Sequence, residues 1–237
     1  MTKRLVVHHT VFSPRIRHAL DLAVVSDLHD GPYEENLPLL RSADAILVVG
    51  DLVERHSGRW KRAAAFLKDA PRCAPTFYAI GNHERKFGRL DLYWPHVEQS
   101  DAVLLDDRFV RFRGIVLGGL SSGARQERVR AELVEEMAAQ PGFKLLLCHH
   151  PEYYPRYIQG RGIDLTLSGH AHGGQVRLFG RGLYAPDQGV LPRLTAGFYD
   201  EGRLLVSRGM TNSNGLPRWG NPCELIMLHL KPEEDKR

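Results

Sequence analysis

The sequence predicts an α/β fold with α+β character: two packed, mixed β-sheets flanked by helices, in one domain over residues 1–237. Three observations carry this. Five short apolar runs end in polar residues, two of the segments between strands have helical composition, and two further stretches are rich in strands and turns but hold no helix.

The first observation rests on "DLAVVSD" (21–27), "ADAILVVGD" (43–51), "PTFYAIGN" (75–82), "FKLLLCHH" (143–150) and "IDLTLSGH" (163–170). Short runs of Val, Ile and Leu without polar alternation read as strands covered on both faces. The second rests on residues 58–70, "GRWKRAAAFLKDA", which are Ala-rich with Trp60, Ala64, Phe66 and Leu67 near one side. It also rests on 124–140, "ARQERVRAELVEEMAAQ", charged on one face and closed by Pro141-Gly142. Strands alternating with helices imply βαβ units. The third rests on "AVLLDDRFVRFRGIVLGGL" (102–120), with turn-like breaks at Asp106-Asp107 and Arg113-Gly114, and on "GQVRLFG", "GRLLVSRG" and "CELIMLHL" after His172. These predict a second sheet built partly from antiparallel pairs.

Composition narrows the class. Hydrophobic residues at 43% and charged residues at 25% describe an ordinary globular chain long enough to bury a substantial core. The formal charge of +4 suits an anionic substrate. The basic residues are scattered, without an aromatic-interleaved run, so nothing indicates nucleic acid. Cys73, Cys148 and Cys223 form no CxxC and no disulfide framework, which fits a reducing compartment. The N-terminal "MTKRLVVHHTVFSPRIRH" lacks a secretory apolar core, and no segment has the apolar length of a membrane span. The expectation is a cytoplasmic protein, with peripheral membrane contact left open and oligomeric state invisible.

Each apolar run delivers polar residues at its carboxyl end: Asp27-Leu28-His29, Gly50-Asp51, Gly81-Asn82-His83-Glu84, His149-His150 and Gly169-His170-Ala171-His172. Ligands of α/β sheets bind outside the carboxyl ends of the strands. Any one of these segments alone reads as a turn, a cap or a half-buried imidazole. Together they would leave Asp and His side chains clustered and unpaired in a dry crevice, at a high desolvation cost that a cation removes. Carboxylate, amide oxygen and imidazole without thiolate suit Mn²⁺ first, with Fe or Zn²⁺ as alternatives. The ligands are too many for one ion and a natural number for two, with a carboxylate able to bridge ions about 3.5–4 Å apart. Cys148 points to the opposite side of its strand from His149 and reads as core.

The ordered motifs D-x-H, G-D, G-N-H-D/E, strand-end H and G-H-x-H resemble those of the calcineurin-like metallophosphoesterases, and all five stand between Asp27 and His172. The segments "SGHAHGGQVRL", "LLVSRGM" and "NPCELIMLHL" look like a bacterial phosphodiesterase branch that includes proteins similar to UDP-2,3-diacylglucosamine hydrolases. The resemblance covers nearly the whole chain and implies a four-layer sandwich. It implies that Asp27, His29 and His172 bind a first metal, that Asn82, His149 and His170 bind a second, and that Asp51 bridges. His149 is preferred to His150 because the family's ligand lies two residues before a proline, here Pro151.

It implies a dimetal phosphoesterase, most readily a phosphodiesterase, in which metal-activated hydroxide attacks a phosphate diester or pyrophosphate. His83 would protonate the leaving oxygen or hydrogen-bond the transition state, and Glu54 would orient His83. Arg55, His150 and Asn82 would contact substrate. Tyr153, Tyr154 and Tyr157, and Arg208 and Arg218, are further rim candidates. Two other readings stay open: a protein Ser/Thr phosphatase-like monoesterase, recommended by "GDLVER" and "GNHER", and a non-catalytic binding scaffold on the same fold.

Overall fold

The computed structural model describes residues 4–122, 129–212 and 218–233. Its strands in chain order are β1 (Leu5–Ser13), β2 (Leu20–Val25), β3 (Ala45–Val49), β4 (Thr76–Ala79), β5 (Val103–Leu104), β6 (Arg108–Phe112), β7 (Ile115–Leu120), β8 (Phe143–Cys148), β9 (Leu165–Ser168), β10 (Arg177–Leu178), β11 (Arg181–Gly182), β12 (Tyr184–Ala185), β13 (Gly189–Val190), β14 (Gly197–Tyr199), β15 (Leu204–Val206) and β16 (Glu224–Pro232). The helices are α1 (Leu37–Arg41), α2 (Lys61–Cys73), α3 (Asn82–Arg85), α4 (Leu90–Glu98) and α5 (Glu132–Ala138).

Two six-stranded mixed sheets form the body. The first runs β1-β16-β2-β3-β4-β5 and the second β14-β15-β9-β8-β7-β6. In each, the central strands that carry the polar ends are parallel: β2, β3 and β4 in the first, β8 and β9 in the second. Parallel strands share a direction, so their carboxyl ends open on the same rim.

Every residue of β3, β4, β8 and β9 is buried, because each strand packs on both faces. One face of each sheet meets the other: Leu22, Val24, Leu47, Val49 and Phe77 interleave with Leu117, Leu145, Leu147, Leu165 and Leu167. The outer face of the first sheet buries Ile46, Val48 and Tyr78 under Phe66, Leu67, Tyr93 and Val97 of α2 and α4. On the second sheet, Val116, Leu146 and Leu204 lie under Leu133, Val134 and Met137 of α5. The expected four layers are present.

Three details differ from expectation. The terminal apolar strand β16 joins the first sheet, between β1 and β2, rather than the second. Its first five residues, Glu224 to Leu228, are all buried, which only an interior strand of a covered sheet allows. The basic N-terminal segment forms β1, paired in parallel along nine residues with β16. Of the helix expected over 124–140, residues 132–138 are helical, and 124–128 lie outside the described residues.

Helix α2 starts at Lys61, not Gly58. The carboxylate of Asp30 accepts the backbone N–H groups of Arg62 at 2.6 Å and Ala63 at 3.0 Å. It thereby satisfies two first-turn donors from a remote loop and places a negative charge at the positive helix end. The same contact ties the loop after β2, which carries Asp27 and His29, to the outer helix layer.

Among the described residues, no helix is long and apolar enough to cross a membrane.

Candidate metal centre

The loops that follow β2, β3, β4, β8 and β9 converge at one end of the sandwich. Five of the seven candidate ligands have a left-handed backbone: Asp27 (φ 53°), His29 (46°), Asp51 (57°), His170 (64°) and His172 (47°). Such conformations cost of order 1–3 kcal/mol each and persist where the surroundings fix them. The chain turns sharply at each strand end, and the turns aim the side chains into a shared space.

Glycines let that space close. A Cβ at Gly81 would collide with the Asp51 carboxylate, and one at Gly169 would sit 2.5 Å from Asp27 Oδ2. The motif glycines before Asn82 and His170 are therefore needed for close approach.

The assembled side chains are almost wholly buried: Asp27 0%, His29 1%, Asp51 1%, Asn82 5%, His149 0%, His170 5% and His172 3% exposed. Asp27, His29 and His172 offer ligand atoms within 4.8 Å of one another, and so do Asp51, His149 and His170. The set His29, Asp51 and His83 links the two groups. Asp51 Oδ2 is 3.1 Å from His149 Nε2, and His29 Nε2 is 3.2 Å from His172 Nε2. The two nitrogens of that last pair are at hydrogen-bond distance, and they lie 3.8 and 3.5 Å from Asp27 Oδ1.

Buried donor atoms without partners test whether a metal fits. Asn82 Oδ1 is buried and accepts no hydrogen bond, and the buried His149 Nε2 faces only the Asp51 carboxylate, 3.1 Å away. The other nitrogen of His149, Nδ1, faces the Val49 carbonyl at 2.6 Å and carries a ring proton, so Nε2 is the nitrogen that a cation would take in place of a proton. An unpartnered amide oxygen and a buried imidazole nitrogen beside a carboxylate are a donor set for a divalent cation. Electrostatics agree. Burial opposes charge on His149, yet the Asp51 carboxylate raises its pKa to about 10. Burial likewise opposes charge on Asp27, yet His172 and His29 hold its carboxyl far below the usual range. A cation at this place would take over from the proton that pairs His149 with Asp51.

The remaining sequence candidates fall around this core. His83 is buried, with Nε2 3.9 Å from Asp51 Oδ2, and burial lowers its pKa to about 3. Glu54 does not hydrogen-bond His83. Its carboxylate is 3.7 Å from His83 Nδ1 and 3.8 Å from His29 Nδ1, while His83 Nδ1 lies 3.2 Å from the Val53 carbonyl and 3.3 Å from the Arg55 amide. Arg55 is half-buried, its guanidinium directed at His56 at 3.3 Å. His150 lies beside His170, ring centroids 4.2 Å apart, with Nδ1 on Glu152 at 2.6 Å and a buried, unpartnered Nε2. Tyr153 stacks on His150 at 4.7 Å, whereas Tyr154 packs in the core under the second sheet. Cys148 is buried in that same core, on the side of β8 away from His149.

Sequence reasoning missed three residues. Glu84 is fully buried and accepts the backbone N–H groups of Asp51 (2.9 Å), Leu52 (2.7 Å), Val53 (3.2 Å) and Gly81 (2.9 Å). It clamps the Asp51 loop to the Asn82 loop. Its signal was visible: an acid inside an apolar neighbourhood at a strand end needs several donors. Glu152 and Asp187 meet His150 and His170, and Asp187 arrives from the β12–β13 turn, 17 residues beyond His170, with no spacing rule to announce it.

Comparisons with known proteins agree with the geometry. Residues 20–174 match the family model for calcineurin-like phosphoesterases. An uncharacterized metallophosphoesterase of Campylobacter jejuni is 32% identical, the match covering 92% of this chain and 61% of that protein. One from Helicobacter pylori strain J99 is 26% identical over 94% of this chain and 63% of that protein. The chain thus spans about three-fifths of the length of these two relatives. Phosphodiesterase YaeI of Escherichia coli is 27% identical over 95% of this chain and 87% of that protein. Among solved structures, a 5'-nucleotidase precursor from Thermus thermophilus shares the fold at TM-score 0.52 and 14% identity, over 90% of this chain and 54% of that one. A family model that covers well over half of the residues, over strand ends that bring the motif side chains together, leaves one conclusion: the chain belongs to the calcineurin-like phosphoesterase family.

Proposed function

We propose that this phosphoesterase-family chain is a dimetal phosphodiesterase. Asp27, His29 and His172 would hold one divalent cation, Asn82, His149 and His170 the other, and Asp51 both, with Mn²⁺ the first choice for O and N donors. The observation that carries the reading is the dry, unpartnered Asn82 Oδ1 together with His149 Nε2, which faces only the Asp51 carboxylate. When bound, such a cation pair lowers the pKa of water and neutralises phosphate oxygens.

The chain's own residues supply the rest. Cross-sheet hydrogen bonds fix the ligand positions, so that little reorganisation is needed at the moment of reaction. His83, with its depressed basicity, stays neutral. When its Nδ1 accepts the Arg55 N–H, Nε2 carries the proton and donates it as a hydrogen bond to the phosphate oxygen that gains charge. This favours transition-state hydrogen bonding over full protonation of the leaving group. Glu54, midway between His29 and His83, orients both through space. His150 and Arg55 line the approach and contact the ester.

The diester assignment draws on the similarity to YaeI. The test is hydrolysis of bis(p-nitrophenyl) phosphate and of p-nitrophenyl phosphate by metal-depleted protein with and without Mn²⁺. Turnover of the diester that requires Mn²⁺ and exceeds that of the monoester supports the proposal. Preference for the monoester would move the chain to the phosphatase reading, and undiminished turnover in chelator would overturn the metal centre.

A further inference from the structure

The two imidazoles of Gly169-His170-Ala171-His172 are backed by opposite charges. His170 Nε2 lies 3.1 Å from Asp187 Oδ2. His172 Nδ1 lies 2.8 Å from Arg218 Nη2, which also donates to the Thr211 carbonyl at 2.8 Å. The two partners come from separate excursions: Asp187 from the turn between β12 and β13, Arg218 from the segment before β16.

The chemical consequences are opposite. A carboxylate only accepts, so Asp187 fixes the proton of His170 on Nε2 and leaves the Nδ1 lone pair for a cation. A carboxylate behind a ligating imidazole also strengthens it as a donor. A guanidinium only donates. Its contact needs the lone pair of His172 on Nδ1, which puts the ring proton of a neutral imidazole on Nε2. That is the nitrogen facing Asp27 Oδ1 at 3.5 Å and His29 Nε2 at 3.2 Å. For Nε2 to ligate, the proton must sit on Nδ1, where it would oppose the Arg218 N–H and add to a positive charge already beside the cation. His149 sharpens the contrast, because the Val49 carbonyl prepares it as Asp187 prepares His170.

We propose that the two cation subsites are held at unequal strength and fill in order. Asp187 secures the Asn82–His149–His170 side, and Arg218 weakens the Asp27–His29–His172 side. The inference rests on the two-cation reading above and assigns positioning roles to two residues outside the ligand set.

The test is calorimetric titration of metal-depleted protein with Mn²⁺, with free Mn²⁺ counted by electron paramagnetic resonance. Wild type should bind two ions in steps about tenfold or more apart. Asp187→Ala should weaken the tighter step by roughly 10–100-fold, the range typical for partners of ligating histidines. Arg218→Met should tighten the weaker step about tenfold, and Arg218→Lys, which keeps a donor and the charge, should not. Two indistinguishable steps in wild type, or an Arg218→Met protein whose weaker step is unchanged or weaker still, would overturn the inference while leaving the two-cation reading intact. Saturation at one ion or none would remove that reading itself. Should Arg218→Met fail to fold by circular dichroism, Asp187→Ala decides alone, since its side chain is 51% exposed and its loss leaves the core untouched.

Discussion

The two sheets contribute chemically different halves to the centre. Of the proposed ligands, the first sheet's strand ends bring Asp27, Asp51 and Asn82 with one imidazole, His29. The second sheet's bring imidazoles alone, His149, His170 and His172. All of the negative ligand charge therefore lies on one side of the sandwich. The halves are stitched across the seam: the Asp27 carboxylate accepts the His170 backbone N–H at 3.1 Å, and His149 Nδ1 donates to the Val49 carbonyl at 2.6 Å. Neither sheet supplies all the residues of either proposed ligand set, so both proposed sets depend on a closed interface between Leu47, Val49, Leu145 and Leu167. On the proposed ligand assignment metal binding is coupled to sheet packing, and bound metal should raise the stability of the whole sandwich.

The largest test of this asymmetry is Asp51→Asn. Removal of the shared anion should abolish binding of both cations and lower kcat by roughly 10³-fold or more, from several kcal/mol of lost charge stabilisation. His172→Ala, on the imidazole side, should instead leave about one cation bound. Elemental analysis of both variants decides: equal metal loss from the two would erase the distinction between the halves.

Next in size is His83→Ala. It stands on the first sheet's side but is not a proposed ligand, so it should lower kcat about 10²–10³-fold, as loss of one transition-state donor does, with two cations still bound. A variant that loses metal along with turnover would make His83 a ligand.

Glu84→Gln comes third. Its two carboxylate oxygens accept four N–H groups, and an amide would turn one pair of them against its own NH₂. Chemical denaturation should show a loss of about 1–3 kcal/mol, with weakened Mn²⁺ binding because the Asp51 and Asn82 loops separate. Unchanged stability would mean that the clamp is not needed to hold the first sheet's half together.

How far the sequence foretold this follows from the same division. The buried parallel strands and their polar ends were legible because apolar runs and the residues that follow them are local signals. Asp27, His29, Asp51, Asn82, His149, His170 and His172 all belong to such ends, and the structure brings them together. What local patterning could not carry is contact between distant segments. The resemblance implied that Glu54 orients His83, and in the structure the Val53 carbonyl and Arg55 amide lie nearer to His83 Nδ1 than the Glu54 carboxylate does. β16 was legible as a strand but not as a member of the first sheet, since a run apolar on both faces fits the interior of either one. Asp187 sits in a polar turn that looks like any surface loop, and Arg218, though a rim candidate, carries no local sign of the imidazole it faces.

The smallest expected effect bears on the division within a single strand. Cys148 and His149 are neighbours at the end of β8, and the pleat turns one into the core under α5 and the other into the centre. Burial also raises the Cys148 thiol far above its usual range, so it stays protonated and unreactive beside a proposed metal ligand. Cys148→Ala should cost only about 1 kcal/mol of stability, the loss of one small buried group. Metal content and kcat should not change. Were this substitution to lower Mn²⁺ affinity, the thiol would have to face the ions, and the second sheet's half would no longer be built of imidazoles alone.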